Sequence, residues 1–465
     1  MRTASIEATV PSFLRRIGTD EWFAPRRTTS QRRLAWEVHD RVATIAAEVR
    51  RPQSVTSGTR RATAAGLRAL NREFGAEFYS VSPDAERDAE AADADFEAVG
   101  PVFDVQTHFL APHSAAALGR DFLYDMYQSL MPSWWTEMRD LDVWTFAEYL
   151  RNVFVESETT VAVLTSGPGV LPTRNLYNDE LGGARALLDE VGASGRLLNH
   201  AVVHADIDDE VRRMHAWRDE FDPVGWKVYT LPRMTLDGPA PGWMLDDEIV
   251  GLPFLEQVRA SGVKLVCAHK GISRLADTGS PRDIGPAAKA FPDLDFVVYH
   301  SGYETALDTE RIEGRYNPDD PHGVDRLLAS LDAAAVPAGA NVYAELGSTW
   351  FCLVSRPVEA AHVLGKLTRR LGVDNVLWGT DSIWFGSPQP IIDAFRAFEI
   401  PDSMCDEFGY EPLTDEAKAK IFGANAARVY GVDLDAASRR RVADDNTWAR
   451  DLAERYERGL IDTFR

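Results

Sequence analysis

The sequence predicts a closed (β/α)8 barrel, an α/β fold, with a helical N-terminal extension and a C-terminal helical tail. From residue 102 onward, short apolar runs alternate with stretches in which apolar residues recur at helical spacing. The runs are apolar on both faces, which is typical of parallel strands covered by helices. Eight such runs fit a closed barrel better than an open sheet. The predicted strands are 102–107, 160–165, 197–204, 226–231, 263–268, 296–299, 342–346 and 376–379.

Helical stretches separate these strands, and one longer segment interrupts the pattern. The predicted helices are 180–191, 208–220, 246–261, 323–335 and 357–371. The segment 111–157, between the first two strands, holds the tryptophans Trp134, Trp135 and Trp144. We expect this segment to form an insertion over the barrel mouth.

The two ends of the chain differ in composition from the middle. Residues 1–99 carry five arginine pairs and a helical apolar stripe, which predicts a helical extension used for assembly. The acidic run 84–95 lacks an apolar stripe and is expected to be a solvated helix or a linker. We place the barrel in residues 100–432, closed by a helix over 414–432, and a helical tail in residues 433–465.

Composition restricts the partners and the compartment. The formal charge of −22 argues against nucleic acid, because phosphate would be repelled. No stretch approaches the roughly 18 uninterrupted apolar residues of a membrane span, and residues 1–20 lack the apolar core of a signal peptide. Three widely spaced cysteines, Cys267, Cys352 and Cys405, predict free thiols in a reducing compartment. We therefore expect a cytoplasmic protein that acts on a small molecule.

Acidic and imidazole side chains stand where the apolar runs end. They are Asp104, His108, His269, His300 and Asp381. In a parallel barrel the strand ends meet at one mouth, and the first and eighth strands are neighbours. Carboxylates and imidazoles that converge from separate strands are what a catalytic metal ion needs. A single histidine at a strand end is as often structural, but five such residues are harder to explain by packing.

The ordered set of motifs resembles the amidohydrolase superfamily, in the amidohydrolase-2 branch of metal-dependent hydrolases and decarboxylases. The segments that carry the resemblance are 104–108 for the D-x-H-x-H motif of strand one, 268–271 and 300–302 for the strand-five and strand-six histidines, 379–382 for the strand-eight G-x-D, and 421–430 for the closing helix. The resemblance covers roughly residues 100–432. Each motif is short, whereas the ordered set is specific.

The resemblance implies one divalent metal ion at the barrel mouth, zinc being expected and manganese or iron being alternatives. Its ligands would be Asp104, His108, His269 and Asp381. Asp381 would also take a proton from water, and His300 would steady an oxyanion or pass a proton to the leaving carbon or nitrogen. The same residues serve hydrolysis and non-oxidative decarboxylation of a small carboxylate or aromatic acid, so the sequence leaves both reactions open.

Gln106 departs from the pattern, because the family places its first metal-binding histidine there. An amide oxygen is a weaker, neutral ligand than imidazole. Three arrangements are open: the other residues hold the ion and Gln106 faces water or substrate; the site recruits His113 from the following loop; or the site has decayed. We expect the first arrangement, with a single ion.

Further residues are candidates for substrate binding. Lys227 on strand four could neutralise a substrate carboxylate, or it could be a structural lysine paired with an acid such as Glu345. The aromatic residues Tyr303, Trp350 and Trp384 follow strand ends and could wall a flat acid. Packing against the extension and the insertion explains them equally well.

A second reading belongs to a different class of function. Some members of this branch resemble subunits of hetero-oligomers in which a related barrel carries the oxygen-activating metal site. Gln106, the long extension and the amphipathic tail motivate the hypothesis that this chain is a zinc-binding or non-catalytic subunit of such a complex. The alternative is a homo-oligomeric enzyme.

Overall fold

The apolar runs form eight parallel strands in the computed structural model, which describes residues 11–14, 29–48, 60–114, 144–169, 174–235, 238–271, 276–304, 312–444 and 446–464. The strands, here numbered β1 to β8, are Val102–Thr107, Thr159–Leu164, Leu197–Asn199 with its continuation Ala201–Val202, Trp226–Tyr229, Leu265–His269, Asp295–Tyr299, Val342–Glu345 and Val376–Leu377. Every pair along this order is parallel. The α/β fold class predicted from the sequence is confirmed.

Backbone hydrogen bonds between β1 and the end of β8 close the barrel. Val105 N donates to Trp378 O at 3.1 Å, and Asp381 N donates to Gln106 O at 2.9 Å. His108 N then donates to Ser382 O at 2.6 Å. The first and eighth strands are therefore neighbours, which brings Gln106 and His108 to the same edge as Asp381.

Every strand except β1 differs by one or more residues from its predicted bounds. β3 is interrupted at His200, which lies between its two ladder segments. β8 ends at Leu377, two residues before the predicted end, and the chain after it hydrogen-bonds β1 through Trp378 O and Asp381 N. β5 extends one residue further than predicted and includes His269.

Helices surround the barrel and build both ends of the chain. Their bounds are Thr29–Glu48, Arg60–Phe74, Ala89–Asp95, Phe146–Leu150, Asn178–Glu190, Asp208–Phe221, Gly251–Ser261, Ile284–Ala290, Val324–Ala334, Thr349–Leu353, Pro357–Leu371, Gln389–Ala397, Asp402–Phe408, Asp415–Ala419, Asn425–Tyr430, Leu434–Asp444 and Thr447–Glu457. Of the predicted helices, 357–371 agrees with its prediction at both ends. The helix predicted over 246–261 begins later, at Gly251, because a turn at Met244 to Asp247 precedes it. Within the described residues, no helix is both long and apolar enough to cross a membrane.

The described part of the N-terminal extension packs on its own barrel. Ser80 N donates to Ala397 O at 2.8 Å, and Glu399 N donates to Phe78 O at 2.8 Å, so this segment pairs with the chain after the helix Gln389–Ala397. The buried Tyr79 hydroxyl donates to Val354 O at 2.6 Å. These contacts fix the extension to the barrel, and its predicted role in assembly stays a prediction.

In the acidic run 84–95 the helix Ala89–Asp95 is largely exposed, as expected for a solvated helix, whereas Glu86 is buried. Glu86 is only 4% exposed and accepts hydrogen bonds from Arg41 at 2.6 Å and Arg68 at 2.7 Å. Burial opposes its charge, but these two arginines outweigh burial and lower the pKa of Glu86. Arginines of the extension therefore have acidic partners within the extension itself.

The C-terminal tail returns to the mouth of the barrel. Phe464 contacts Phe109, with ring centroids 5.1 Å apart, and Phe146 at 4.7 Å. Trp448 packs edge-on against Phe154 at 5.2 Å. The predicted insertion residues Trp134 and Trp135 lie outside the described residues, whereas Trp144 is buried and packs against Trp384 at 5.5 Å.

An ionic cluster after β3 makes stability sensitive to acid. Glu210 accepts from His204 N at 2.9 Å and from Arg174 Nη2 at 2.8 Å. Burial alone would raise the pKa of Glu210, but the hydrogen bond from His204 and the charge of Arg174 hold it at about 2.

A carboxylate whose pKa is lowered by folding stabilises the protein at pH values above its pKa in the unfolded chain. That stabilisation is lost as the pH falls through its pKa in the folded protein. We expect Glu210→Gln to lower stability by about 3 kcal/mol at pH 7 and to flatten its decline below pH 5.

Urea unfolding midpoints measured between pH 7 and pH 3 check this prediction. Glu220→Gln is the matched control, because Glu220 lies on the same helix and is exposed. A decline of the Glu210→Gln midpoint as steep as that of the wild type would contradict the assignment.

Candidate active site

The predicted polar residues lie at the carboxyl ends of the strands and are buried. Asp104, Gln106 and His108 come from β1, His269 ends β5, and His300 follows β6. Two further buried groups join them, namely Glu345 at the end of β7 and Asp381 after β8. The side chains of β1 and the β8 end meet most closely.

Asp381 is the centre of this arrangement. Its Oδ1 lies 3.0 Å from His108 Nε2 and accepts from Gln106 Nε2 at 3.0 Å. Its Oδ2 accepts from the Ser348 hydroxyl. The φ of 62° at Asp381 is a left-handed conformation, and strain of this kind at a non-glycine residue often marks a functional position. Three side chains, two at the end of β1 and one after β7, therefore fix one carboxylate.

His108 directs one ring nitrogen at that carboxylate. Its Nε2 is also 3.4 Å from Gln106 Nε2, and its ring lies 5.9 Å from the ring of Trp384. Its Nδ1 is buried and has no hydrogen-bond partner among the described residues. Nε2 is thus the atom of His108 that meets the other polar groups.

Asp104 supports the join between β1 and β8. It accepts from Thr380 N at 2.9 Å, from the Thr380 hydroxyl and from Gln106 N at 3.1 Å. Burial raises the pKa of Asp104 to about 7, although the Thr380 hydrogen bonds act in the opposite direction. Both carboxylate oxygens therefore face protein donors rather than the Nε2 of His108.

His300 is held in one tautomer by the backbone. Its Nδ1 lies 2.6 Å from the carbonyl oxygen of Gly347, which can only accept, so Nδ1 carries the proton. Its backbone N donates to Glu345 Oε2 at 3.0 Å. Burial raises the pKa of Glu345 to about 7, although the nearby His300 acts in the opposite direction. A neutral His300 consequently carries its ring lone pair on Nε2.

His269 and Lys227 form a neighbouring group from β5 and β4. The His269 ring lies 4.8 Å from the His300 ring and 5.2 Å from the Tyr229 ring. Lys227 Nζ lies 3.5 Å from the centroid of Tyr299 and 4.8 Å from that of Tyr229. The lysine charge is therefore stabilised by aromatic faces.

The predicted aromatic wall divides into two parts. Trp384 contacts His108 and so lies beside the polar cluster. The Tyr303 hydroxyl donates to Glu359 at 3.3 Å, and Trp350 Nε1 donates to Ile391 O at 2.8 Å, both within the packing around the barrel. These contacts agree with the packing alternative for Tyr303 and Trp350.

His113 pairs with a helix rather than with the strand ends. Its Nε2 lies 2.8 Å from Glu180 Oε2, and its ring stacks on Tyr177 at 4.0 Å. The alternative in which His113 replaces Gln106 is therefore not supported.

The sequence did not single out a second buried polar group. His200 Nε2 lies 3.4 Å from Cys267 Sγ and 3.4 Å from the Tyr430 hydroxyl, and its Nδ1 lies 3.4 Å from the Tyr299 hydroxyl. Burial, followed by the charge of Lys227, lowers the pKa of His200. The position of His200 within the apolar run 197–204 was the signal that the sequence offered.

A divalent metal ion needs several donor side chains that point to one place. Among the described residues, no three His, Cys, Asp or Glu side chains form a group arranged to hold one. His108 and Asp381 do converge, and the third polar group at that point is the Gln106 amide. Gln106 Oε1 is buried and has no hydrogen-bond partner within the described part of the chain. An imidazole, a carboxylate and an amide oxygen fit a divalent ion if Gln106 presents its oxygen.

A family model described as Amidohydrolase matches residues 181–432, more than half of the 465 residues. This match includes His269, His300 and Asp381 but begins after β1 and Gln106. No curated protein matches the chain.

Several solved structures are similar at low identity. 2,6-Dihydroxybenzoate decarboxylase from Rhizobium is 15% identical over 71% of this chain and 99% of its own, with a TM-score of 0.40. An uncharacterised TIM-barrel protein from Bordetella bronchiseptica is 14% identical over 73% and 99%, with a TM-score of 0.45. 5-Carboxyvanillate decarboxylase from Sphingomonas paucimobilis is 14% identical over 71% and 99%, with a TM-score of 0.39.

Proposed function

The chain belongs to the amidohydrolase family, and from this premise we propose that it is an enzyme that binds one divalent metal ion and acts on a small carboxylate or aromatic acid. The observation that carries the proposal is the convergence of His108 Nε2, Asp381 Oδ1 and the Gln106 amide at the barrel mouth. All three side chains are fully buried, so an ion there would be shielded from bulk water.

His108, Asp381 and Gln106 would hold the ion, with His269 from β5 as a further ligand. Asp104 has a supporting role in this proposal, because its oxygens accept from Thr380 and Gln106 N. Zinc is the ion that we expect, with manganese or iron as alternatives. When bound, the ion would polarise a substrate carboxylate or a water molecule.

The protein's own residues would handle the protons. His300, with its Nδ1 proton committed to Gly347 O, offers Nε2 as an acceptor and, once protonated, as a donor to the leaving carbon or nitrogen. Asp381 accepts a hydrogen bond from the Ser348 hydroxyl, which would orient its carboxylate as a base toward water. Lys227 would supply positive charge for a substrate carboxylate. These roles serve hydrolysis and non-oxidative decarboxylation alike.

Metal content is the measurement that tests this proposal. We expect about one zinc per chain in protein purified without chelator, and loss of turnover of small aromatic acids or amides after the ion is removed. Inductively coupled plasma mass spectrometry gives the metal content, and readdition of zinc or manganese should restore turnover. A chain that neither carries nor takes up a divalent ion would contradict the proposal.

A second candidate function is a helper subunit paired with a related barrel that carries the active metal. Gln106 favours this second function, because its amide nitrogen lies within hydrogen-bond distance of Asp381 and His108, the groups that would otherwise face an ion. In that case the purified chain would be inactive alone. Coexpression with a related barrel would then yield one complex in which the partner holds the oxygen-activating metal.

A further inference from the structure

The ends of β6, β7 and β8 share an unusual backbone conformation. Of the seven non-glycine residues with a positive φ in the described part of the chain, four lie there. They are His300 at 63°, Ser301 at 56°, Ser348 at 51° and Asp381 at 62°. A left-handed backbone is unfavourable for a residue with a side chain, and it persists only where surrounding contacts hold it. Contacts between the strand ends must therefore hold these residues in place.

A single buried carboxyl group links the ends of β6 and β7. Glu345 is the last residue of β7 and is fully buried. Its Oε2 accepts from His300 N at 3.0 Å, and its Oε1 accepts from Gly347 N at 2.5 Å. Its backbone oxygen accepts from Ser301 Oγ at 2.7 Å. A Cβ added at Gly379, after β8, would collide with Oε1, so the glycine leaves room for this carboxyl group.

The residues that follow Glu345 also bind His300. The segment 345–349, here called the β7 segment, supplies an acceptor for the ring and a donor for the backbone. His300 Nδ1 donates to Gly347 O at 2.6 Å, and Thr349 Oγ1 donates to His300 O at 3.0 Å. Both side chains are fully buried. The backbone nitrogen, the backbone oxygen and the ring of His300 are therefore all fixed by the β7 segment.

The β7 segment also reaches Asp381. The Ser348 hydroxyl donates to Asp381 Oδ2, and Ser348 N donates to Thr380 O at 3.4 Å. Ser348 is itself one of the left-handed residues. The β7 segment thus contacts both His300 and Asp381, the two residues that the proposed function uses for proton transfer.

We propose that Glu345 is a positioning residue for His300, and that the rest of the β7 segment acts with it. The Glu345 carboxyl group holds the backbone nitrogens of His300 and Gly347, which keeps the imidazole ring within reach of Gly347 O. The Nδ1 proton is then committed to that carbonyl group, so Nε2 is the ring nitrogen that exchanges a proton with the substrate. Glu345 acts through His300 and not on the substrate. This inference rests on the proposed function, because it assigns the support of a residue that the proposed function uses.

The test is the rate at which the His300 Nδ1 proton exchanges with water, followed by nuclear magnetic resonance in protein containing nitrogen-15 histidine. Loss of the signal in His300→Asn assigns it. We expect Glu345→Gln, which replaces one acceptor oxygen by an NH2 group, to speed this exchange at least about 10-fold. Glu359→Gln is the matched control and should exchange like the wild type. Glu359 is also a buried glutamate that accepts from a backbone nitrogen, that of Glu313, at 3.0 Å.

Turnover gives a second measurement that a merely structural role would not change in the same way. With a small aromatic acid or amide that the wild type converts, Glu345→Gln should lower kcat at least about 10-fold and leave KM within about 2-fold. Unchanged proton exchange in Glu345→Gln, or faster exchange with unchanged kcat, would overturn the inference and leave the proposed function standing.

The exchange measurement needs neither an ion nor a substrate, so it separates the inference from the proposed function. A wild type without bound ion and without turnover would overturn the proposed function, whereas proton exchange would still decide how His300 is positioned. If Glu345→Gln fails to fold, as judged by circular dichroism, Thr349→Val decides, because it removes only the hydroxyl that donates to His300 O. Faster exchange in that variant supports the inference, and unchanged exchange overturns it.

Discussion

Replacing Asp381 by alanine is expected to abolish divalent-ion binding at the barrel mouth while the barrel stays folded. His108 Nε2 and Gln106 Nε2 each lie 3.0 Å from Asp381 Oδ1, and the two nitrogens are 3.4 Å apart. The residue pairs with β1 through its backbone N, which donates to Gln106 O, and an alanine keeps that hydrogen bond. Removal of a charged ligand should weaken binding at least about 100-fold.

The same loss is expected for His269→Ala if His269 is a further ligand. Zinc content and chelator competition measure the loss, and thermal unfolding followed by circular dichroism measures the fold. Asp219→Ala serves as the control, because Asp219 is an exposed carboxylate on an outer helix. Unchanged metal content in both site variants would remove the proposed ligand set.

The fold was predictable because strand and helix signals are local. Each barrel strand is a short apolar run, and its neighbours in the sheet follow from the chain order of a parallel barrel. The break in β3 at His200 was not predictable, because it depends on contacts with Cys267, Tyr299 and Tyr430 from other strands and from the closing helix. Such contacts leave no periodic trace in the sequence.

The candidate site was predictable in its members but not in their roles. The strand-end position of His108 and Asp381 placed them at one mouth, where the structure has them in contact. Asp104 was predicted to lie there too, yet it is the third residue of β1 and its oxygens face Thr380. The orientation of the Gln106 amide depends on both Asp381 and Glu345, so no single motif could reveal it.

Lys270→Met is expected to be among the most destabilising single substitutions in the barrel. Lys270 directly follows His269, and its Nζ donates to Asp283 Oδ2 at 2.7 Å and to Thr278 O at 2.9 Å. Both members of this ion pair are 0% exposed. Burial lowers the pKa of Lys270, and the charge of Asp283 opposes that change. Without the ammonium group, the Asp283 carboxylate stays buried with Leu245 N as a remaining donor, which should cost about 3–5 kcal/mol.

The double variant Lys270→Met/Asp283→Leu distinguishes a lost ion pair from lost packing. Replacing both partners of a buried ion pair by apolar groups is often nearly neutral, because no uncompensated charge is left behind. We therefore expect the double variant to recover most of the stability that the single variant loses in urea unfolding. A single variant within about 1 kcal/mol of the wild type would contradict this account. A double variant as unstable as the single one would mean that the long Lys270 side chain acts by packing and by its hydrogen bond to Thr278 O. The loop after His269 would then depend on the shape of this side chain rather than on its charge.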